Sequence, residues 1–181
     1  MNKLILITGM SGSGKSAIIT PLRELAKNNF EVWDIDQKIY NLRENGHPEA
    51  PQLTSWKLGD PGNPFVECFN IVYSDASKIH KDVIICGTVF PKDIYPQTKS
   101  LFNKIIWIGL YADPDDIRFR LRQRTSNIWT NEMIEFHANS YTWFKSIPQQ
   151  ADNNMLMINT SANSIDEVSK QIFDYISYEI L

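Results

Sequence analysis

Residues Gly9-Met10-Ser11-Gly12-Ser13-Gly14-Lys15-Ser16 fill the pattern G-x-x-x-x-G-K-[ST] at every fixed position and follow directly on the apolar run Leu4–Thr8. The glycines let the main chain curl so that successive N–H groups point inward, forming a nest for phosphate oxygens. A helix opening just after the nest adds its positive end to that field. Lys15 then reaches the β- and γ-phosphates of a nucleoside triphosphate, and the Ser16 hydroxyl is placed to ligate Mg²⁺. The competing reading is a Gly-rich turn with a chance Lys-Ser. With Gly near 7% of residues, a random match in a chain of this size is on the order of one in a hundred. A match set between a first strand and a first helix is rarer still. The expected nucleotide-contacting set is therefore Gly9, Ser11, Gly12, Ser13, Gly14, Lys15, Ser16 and Ala17, with ATP and Mg²⁺ as cofactors.

The rest of the chain alternates short apolar runs with helical patterns. Leu4–Thr8, Val83–Cys86, Ile105–Leu110 and Met155–Asn159 are rich in Ile, Val and Leu without polar alternation, as strands of a parallel sheet covered on both faces should be. Glu31–Asp34 is a weaker fifth. The order of β then α predicts an α/β sheet with right-handed crossovers. Asp113-Pro114-Asp115-Asp116 marks a helix start, with an N-cap, Pro at the first helical position and acids on the positive end. Ile165, Val168, Ile172, Ile176 and Ile180 recur at helical spacing and predict one core-facing stripe on a last helix over about Ser164 to Ile180. Pro21 falls about two turns into the helix after the glycine-rich loop and predicts a kink or a shortened first segment. Residues 45–64 hold four of the nine prolines and read as a long irregular insertion, a feature more often functional than idle.

Composition limits the alternatives. The chain has 181 residues, enough for one domain with a full core, and 43% hydrophobic and 22% charged residues, ordinary for a globular protein. No segment approaches the roughly 18 apolar residues of a membrane helix. The first apolar run is too short for a signal-peptide core. Cys68 and Cys86 form neither a disulfide framework nor a CxxC motif, so a cytoplasmic protein is expected. A formal charge of −3 gives no general attraction to nucleic acid or anionic lipid. His47, His80 and His137 lack metal-ligand spacing and read as surface or locally bonded. Tyr141, Trp143 and Phe144 read as core rather than as a substrate platform.

Two large classes of triphosphate-binding protein fit poorly. A switch GTPase needs a DxxG loop and an [NT]KxD motif, whereas Asp60-Pro61-Gly62 has the wrong spacing and Thr98-Lys99-Ser100-Leu101 lacks the Asp. A motor ATPase needs a strand ending in Asp, and Val83–Cys86 runs instead into Gly87-Thr88.

With these motifs in this order, the sequence resembles the nucleoside-monophosphate, shikimate and gluconate kinase group along nearly its whole length. That likeness implies a three-layer α/β/α domain over residues 1–181, with a five-stranded parallel sheet in the order 2-3-1-4-5, an acceptor-side insertion over about 37–80 and a short helical lid over about 120–140. Val32-Trp33-Asp34-Ile35-Asp36 resembles the DxD at the end of the second strand of shikimate kinases. It implies that Asp34 holds Mg²⁺ through water while Asp36 orients or deprotonates an acceptor hydroxyl. Strand-end aspartates also serve as plain turn or N-cap residues. Arg120-Leu121-Arg122-Gln123-Arg124 resembles the RLxxR signature leading into the lid, which would be Thr125–Asn131. It implies that Arg120 and Arg124, four apart on one helix face, neutralise the transferring phosphoryl group, whereas Arg118 and Arg122 are merely solvated. The likeness extends to a poorly characterised bacterial branch labelled only as P-loop or AAA-type ATP-binding, through Asp34-Ile35-Asp36, Cys86-Gly87 and Arg124-Thr125-Ser126-Asn127.

The expected activity is transfer of the γ-phosphoryl group of ATP to a hydroxyl of a small metabolite, by a monomer or homodimer. Between Gln37 and Asp82 the only Arg is Arg43. A monophosphate acceptor wants guanidinium clamps, so a neutral acceptor is favoured over a nucleoside monophosphate. A nucleoside or nucleoside-monophosphate kinase, and a regulatory or toxin-like nucleotide-binding module without turnover, remain the alternatives. Trp56 and Lys57 in the insertion, and Thr88 and Lys92 after the third strand, are secondary acceptor-side candidates. Asn159-Thr160-Ser161, after the last strand, is where backbone groups contact the adenine in this group.

Overall fold

In the computed structural model, residues 2–27, 29–47, 65–124, 129–150 and 155–180 are described. Five parallel strands, β1 (Lys3–Thr8), β2 (Phe30–Asp34), β3 (Asp82–Cys86), β4 (Lys104–Tyr111) and β5 (Met155–Asn159), form one sheet in the order β2-β3-β1-β4-β5. The expected strand set and order are both present, each run extended by at most one residue at either end. Around the sheet lie α1 (Ile19–Ala26), α2 (Ile35–Glu44), α3 (Val66–Ser77), the single turn α4 (Pro96–Lys99), α5 (Pro114–Arg122), α6 (Asn131–Asn139), α7 (Tyr141–Gln150) and α8 (Ile165–Ile180).

The continuous apolar runs are explained by a core on each side of the sheet. In β1, Leu4 and Leu6 face one core with Ile35, Phe69, Tyr73 and Phe144 from α2, α3 and α7. Ile5 and Ile7 face the other with Leu22, Ile172 and Ile176 from α1 and α8. Strand side chains alternate between faces, so with both faces covered every position must be apolar. A smaller third cluster joins Ile117 and Leu121 of α5 to Ile134 and Ala138 of α6. The interior thus fixes the carboxyl ends of β1, β2 and β3 as one rigid rim.

Local signals fare unevenly. The segment after the glycine-rich loop begins as a 3₁₀ turn over Lys15–Ile18 and becomes α-helical only at Ile19. Pro21 therefore sits in the first turn of α1, where the missing N–H and fixed φ are tolerated; the expected shortening is what occurs. α5 starts as expected, with Pro114 at its first position and Asp115 and Asp116 in its first turn, but the Asp113 side chain makes no capping bond. On α8 the stripe Val168, Ile172 and Ile176 is buried, whereas Ile165 is 50% exposed. Side chains of a helix lean toward its N-terminus, which carries that of the first residue of α8 past the end of the packed layer. The Pro-rich stretch, with Trp56 and Lys57, lies outside the described residues except at 45–47, as does Thr125–Ile128 of the expected lid. Among the described residues no helix is long and apolar enough to cross a membrane.

Ile84 is fully buried at the centre of β3, paired to Val32 and Ile5 on either side. Ile84→Ala is expected to destabilise the protein by about 2–5 kcal/mol, read as a lower urea midpoint with unchanged slope. A loss under about 1 kcal/mol would contradict this packing.

Candidate active site

The glycine-rich loop leaves β1 and returns as the 3₁₀ turn, so its amides sit over the sheet's carboxyl edge, where ligands bind in open α/β sheets. Gly12 and Gly14 have φ of 86° and 95°, a left-handed conformation that costs any side-chain-bearing residue energy. Gly9 is required for closeness instead. A Cβ there would stand 2.3 Å from Ser13 Oγ and 2.5 Å from the Leu110 carbonyl. The loop is braced by Ser13 N–H donating to the Met10 carbonyl at 3.1 Å and Ala17 N–H to the Gly14 carbonyl at 3.1 Å.

Lys15 folds over this curl and donates from Nζ to the carbonyls of Gly9 at 2.7 Å and Met10 at 3.0 Å. Burial pushes its ammonium down to about 8, the Arg124 cation adds to that, and Asp36, Cys86 and Asp34 oppose it. Burial also raises the Asp36 carboxyl, with Asp34 raising it further and the Lys15 and Arg124 charges pulling it down. Asp36 is nevertheless exposed to solvent. Lys15, Asp34, Asp36 and Arg124 therefore form one electrostatic cluster at the mouth of the loop. Asp34 accepts from Asp36 N–H through Oδ1 at 2.9 Å and so caps α2. That cap explains why the two carboxylates stand together at the end of β2: the first is the strand's last residue, the second lies in the helix's first turn. Ser16 and Asp34 line one cleft of about 490 Å³ with Arg23, Trp33, Gln37 and Lys38. A hydroxyl and a carboxylate on one cleft wall suit a small, oxygen-seeking cation such as Mg²⁺.

The two arginines expected to act together are separated. α5 ends at Arg122, so Arg124 lies beyond the helix, and no common face holds them. Arg124 stacks on Trp129, 5.1 Å from the ring centre. Arg120 turns to the back of the loop, donating from Nη1 to the Gly12 carbonyl at 3.1 Å and Thr160 Oγ1 at 2.9 Å, and from Nη2 to the Thr160 carbonyl at 2.9 Å. Arg118 is not merely solvated. It bonds Glu135 of α6 through Nε and Nη2 and Asp115 through Nη1 at 2.9 Å, tying α5 to α6.

Thr160 was not singled out by side-chain chemistry, yet it links three segments. Its Oγ1 donates within reach of the Ser13 carbonyl at 3.0 Å and the Tyr111 carbonyl at 3.2 Å, while accepting from Arg120. A threonine after a strand carries no local signal for such a bond. Thr88 donates to the Gly9 carbonyl at 3.0 Å, placing the turn after β3 against the loop, and Lys92 is exposed. Contrary to expectation, His137 is neither fully at the surface nor locally hydrogen-bonded. It is half-buried against Trp129 and Phe136, and its Nδ1 is buried without a hydrogen-bond partner among the described residues. Of the aromatic trio on α7, Phe144 is buried as expected, but Trp143 is 45% exposed, with its ring edge-on to Phe90. Tyr141 is half-buried against Tyr111.

No family model and no curated protein matches the chain. Solved structures do match over nearly its full length. An unliganded sugar kinase from Janibacter sp. HTCC2649 is 13% identical, with a TM-score of 0.64 over 98% of this chain and 95% of that one. A gluconokinase from Sinorhizobium meliloti 1021 is 11% identical, with a TM-score of 0.60 over 98% and 97%. A shikimate kinase from Acinetobacter baumannii, in complex with shikimate, is 16% identical, with a TM-score of 0.60 over 100% and 96%. The chain has the fold of the small-molecule P-loop kinases. Its glycine-rich segment lies between β1 and the first helical turn, at the carboxyl edge of that sheet.

Thr160→Val keeps the volume and removes the hydroxyl that joins Ser13, Tyr111 and Arg120. It is expected to cost about 1–3 kcal/mol of stability, because buried acceptors lose their donor. Chemical denaturation checks it. A variant as stable as the parent would show that the link is incidental.

Proposed function

We propose that the chain is an ATP-dependent kinase that transfers the γ-phosphoryl group to a hydroxyl of a small, neutral metabolite. The observation that carries this reading is the cluster of Lys15, Asp34, Asp36 and Arg124 at the P-loop mouth, two cations and two carboxylates whose charges act on one another. A triphosphate in the nest brings its γ-phosphoryl group to that cluster. Lys15 leaves the loop carbonyls for the β- and γ-oxygens, exchanging neutral acceptors for charged ones. Ser16, and Asp34 through water, would hold Mg²⁺, which would supply neutralisation of the phosphate charge. Arg124 stabilises charge on the equatorial oxygens. Arg120 acts by positioning, since its guanidinium holds the Gly12 carbonyl from behind.

Asp36 faces the acceptor. The acceptor oxygen bonds to the γ-phosphorus as the bond to the β,γ-bridging oxygen breaks, its proton passes to the Asp36 carboxylate, and ADP leaves. Positioning and charge neutralisation supply most of the acceleration in such transfers. The neutral acceptor follows from the scarcity of guanidinium groups on the acceptor side, where α2 supplies only Arg43.

Lys15→Ala and Asp36→Asn separate binding from chemistry. Loss of the ammonium is expected to weaken ATP binding about 10–100-fold, the value of a charge-assisted bond. Asp36→Asn is expected to bind ATP as the parent does while turnover with a responsive acceptor falls about 10²–10⁴-fold. The readouts are calorimetry and ADP release across a panel of sugars, polyols and hydroxy acids. ADP release indifferent to every acceptor would overturn the kinase reading.

A further inference from the structure

His137 takes no part in the mechanism above, yet the charges of Lys15 and Arg124 act on its ring. It projects from α6 beside Ile134 and Ala138, the pair that anchors this helix to α5. Its ring meets the Trp129 indole edge-on at 5.5 Å and Phe136 at 5.4 Å. Arg124 stacks on the same indole, so guanidinium and imidazole share one aromatic support. Nδ1 is buried and unpartnered among the described residues. A buried polar nitrogen without a partner is an unmet hydrogen-bonding demand. The charges that act on the ring are Lys15 from the P-loop and Arg124 from the end of α5, both positive. Of the other charged groups on the adjoining elements, Arg118 pairs with Glu135 across the α5–α6 seam and Lys145 bonds Tyr141 on α7, while Asp116 and Arg122 of α5 and Glu132 of α6 are not among the charges that act on the ring. Burial first, then these two cations, push the imidazole down to about 4, so the ring is neutral near pH 7.

We propose that His137 is a third recognition group for the polyphosphate, its imidazole gaining a proton and donating a hydrogen bond to a phosphate oxygen when a triphosphate enters between Lys15 and Arg124. This rests on the P-loop reading of the site. The physical cause is a reversal of the local field. By themselves, Lys15 and Arg124 oppose a charge on the ring. A bound triphosphate outweighs both with its own negative charge and offers the acceptor that the ring lacks. The imidazolium is then the favoured form, and Trp129 keeps it beside Arg124.

The sign follows from linkage. A group that holds its proton more tightly in the complex than in the free protein makes binding stronger as pH falls through its bound-state value, by at most about tenfold per pH unit. The experiment uses the intact chain and the Mg²⁺ complex of a non-hydrolysable ATP analogue. The three histidines are resolved by their imidazole proton resonances, assigned with His47→Gln and His80→Gln. On saturation, the third resonance is expected to titrate at least one pH unit higher than in the free protein. Calorimetry between pH 7.5 and 5.5 is expected to show the parent gaining affinity more steeply than His137→Gln or His137→Phe. Saturable binding with an unmoved His137 titration would overturn this inference while leaving the P-loop reading intact. Absence of binding by the folded parent would overturn both. If neither variant folds, the parent's resonance decides alone.

Discussion

Everything in this molecule turns on a main-chain curl that bends back on itself at the carboxyl edge of a sheet. Such a curl keeps few main-chain bonds of its own, Ser13 N–H to Met10 and Ala17 N–H to Gly14, so isolated it would not persist. It persists because it is held from behind. The Gly12 carbonyl takes a bond from Arg120, and the Ser13 and Gly9 carbonyls take bonds from Thr160 and Thr88. Outward-facing carbonyls are thereby satisfied by side chains from the ends of three other segments, and the amides are left for a ligand. The Lys15 ammonium completes the arrangement by resting on the Gly9 and Met10 carbonyls, an internal substitute for the anion.

The sheet makes this bracing available. With β1 central, β3 and β4 deliver their following turns to either side of the curl, and β5 delivers Thr160 one strand further out. Two cores, one on each face, fix those strand ends relative to one another. Gly12 and Gly14 take left-handed geometry without strain, and this packing holds the charged groups at the loop's mouth close together. The site is therefore a property of the edge as a whole rather than of eight residues.

What could be read from the sequence was whatever is written locally. The P-loop was legible because its glycines, Lys and Ser recur at fixed offsets, and the strands because two covered faces demand uninterrupted Ile, Val and Leu. Pro21 was legible too, since its ring admits only a first-turn position. The pairing of Asp34 with Asp36 was visible as a strand end, with its capping geometry as the extra detail. Thr160 and His137 were not legible, for their meaning comes from partners 147 residues away in the first case and from a packed neighbour helix in the second. The arginines failed in an instructive way. Four-residue spacing implies a shared face only while the helix lasts, and α5 stops at Arg122.

Fold likeness at 11–16% identity carries architecture alone, so the chemistry stands on the residues at the loop's mouth. The most direct trial is a calorimetric titration of the wild-type chain with MgATP under conditions where circular dichroism shows it folded. A single saturable site per chain, lost on replacing ATP by adenosine, is the result this account predicts. Folded protein that takes up no nucleotide, or that binds adenosine as well as ATP, would contradict it.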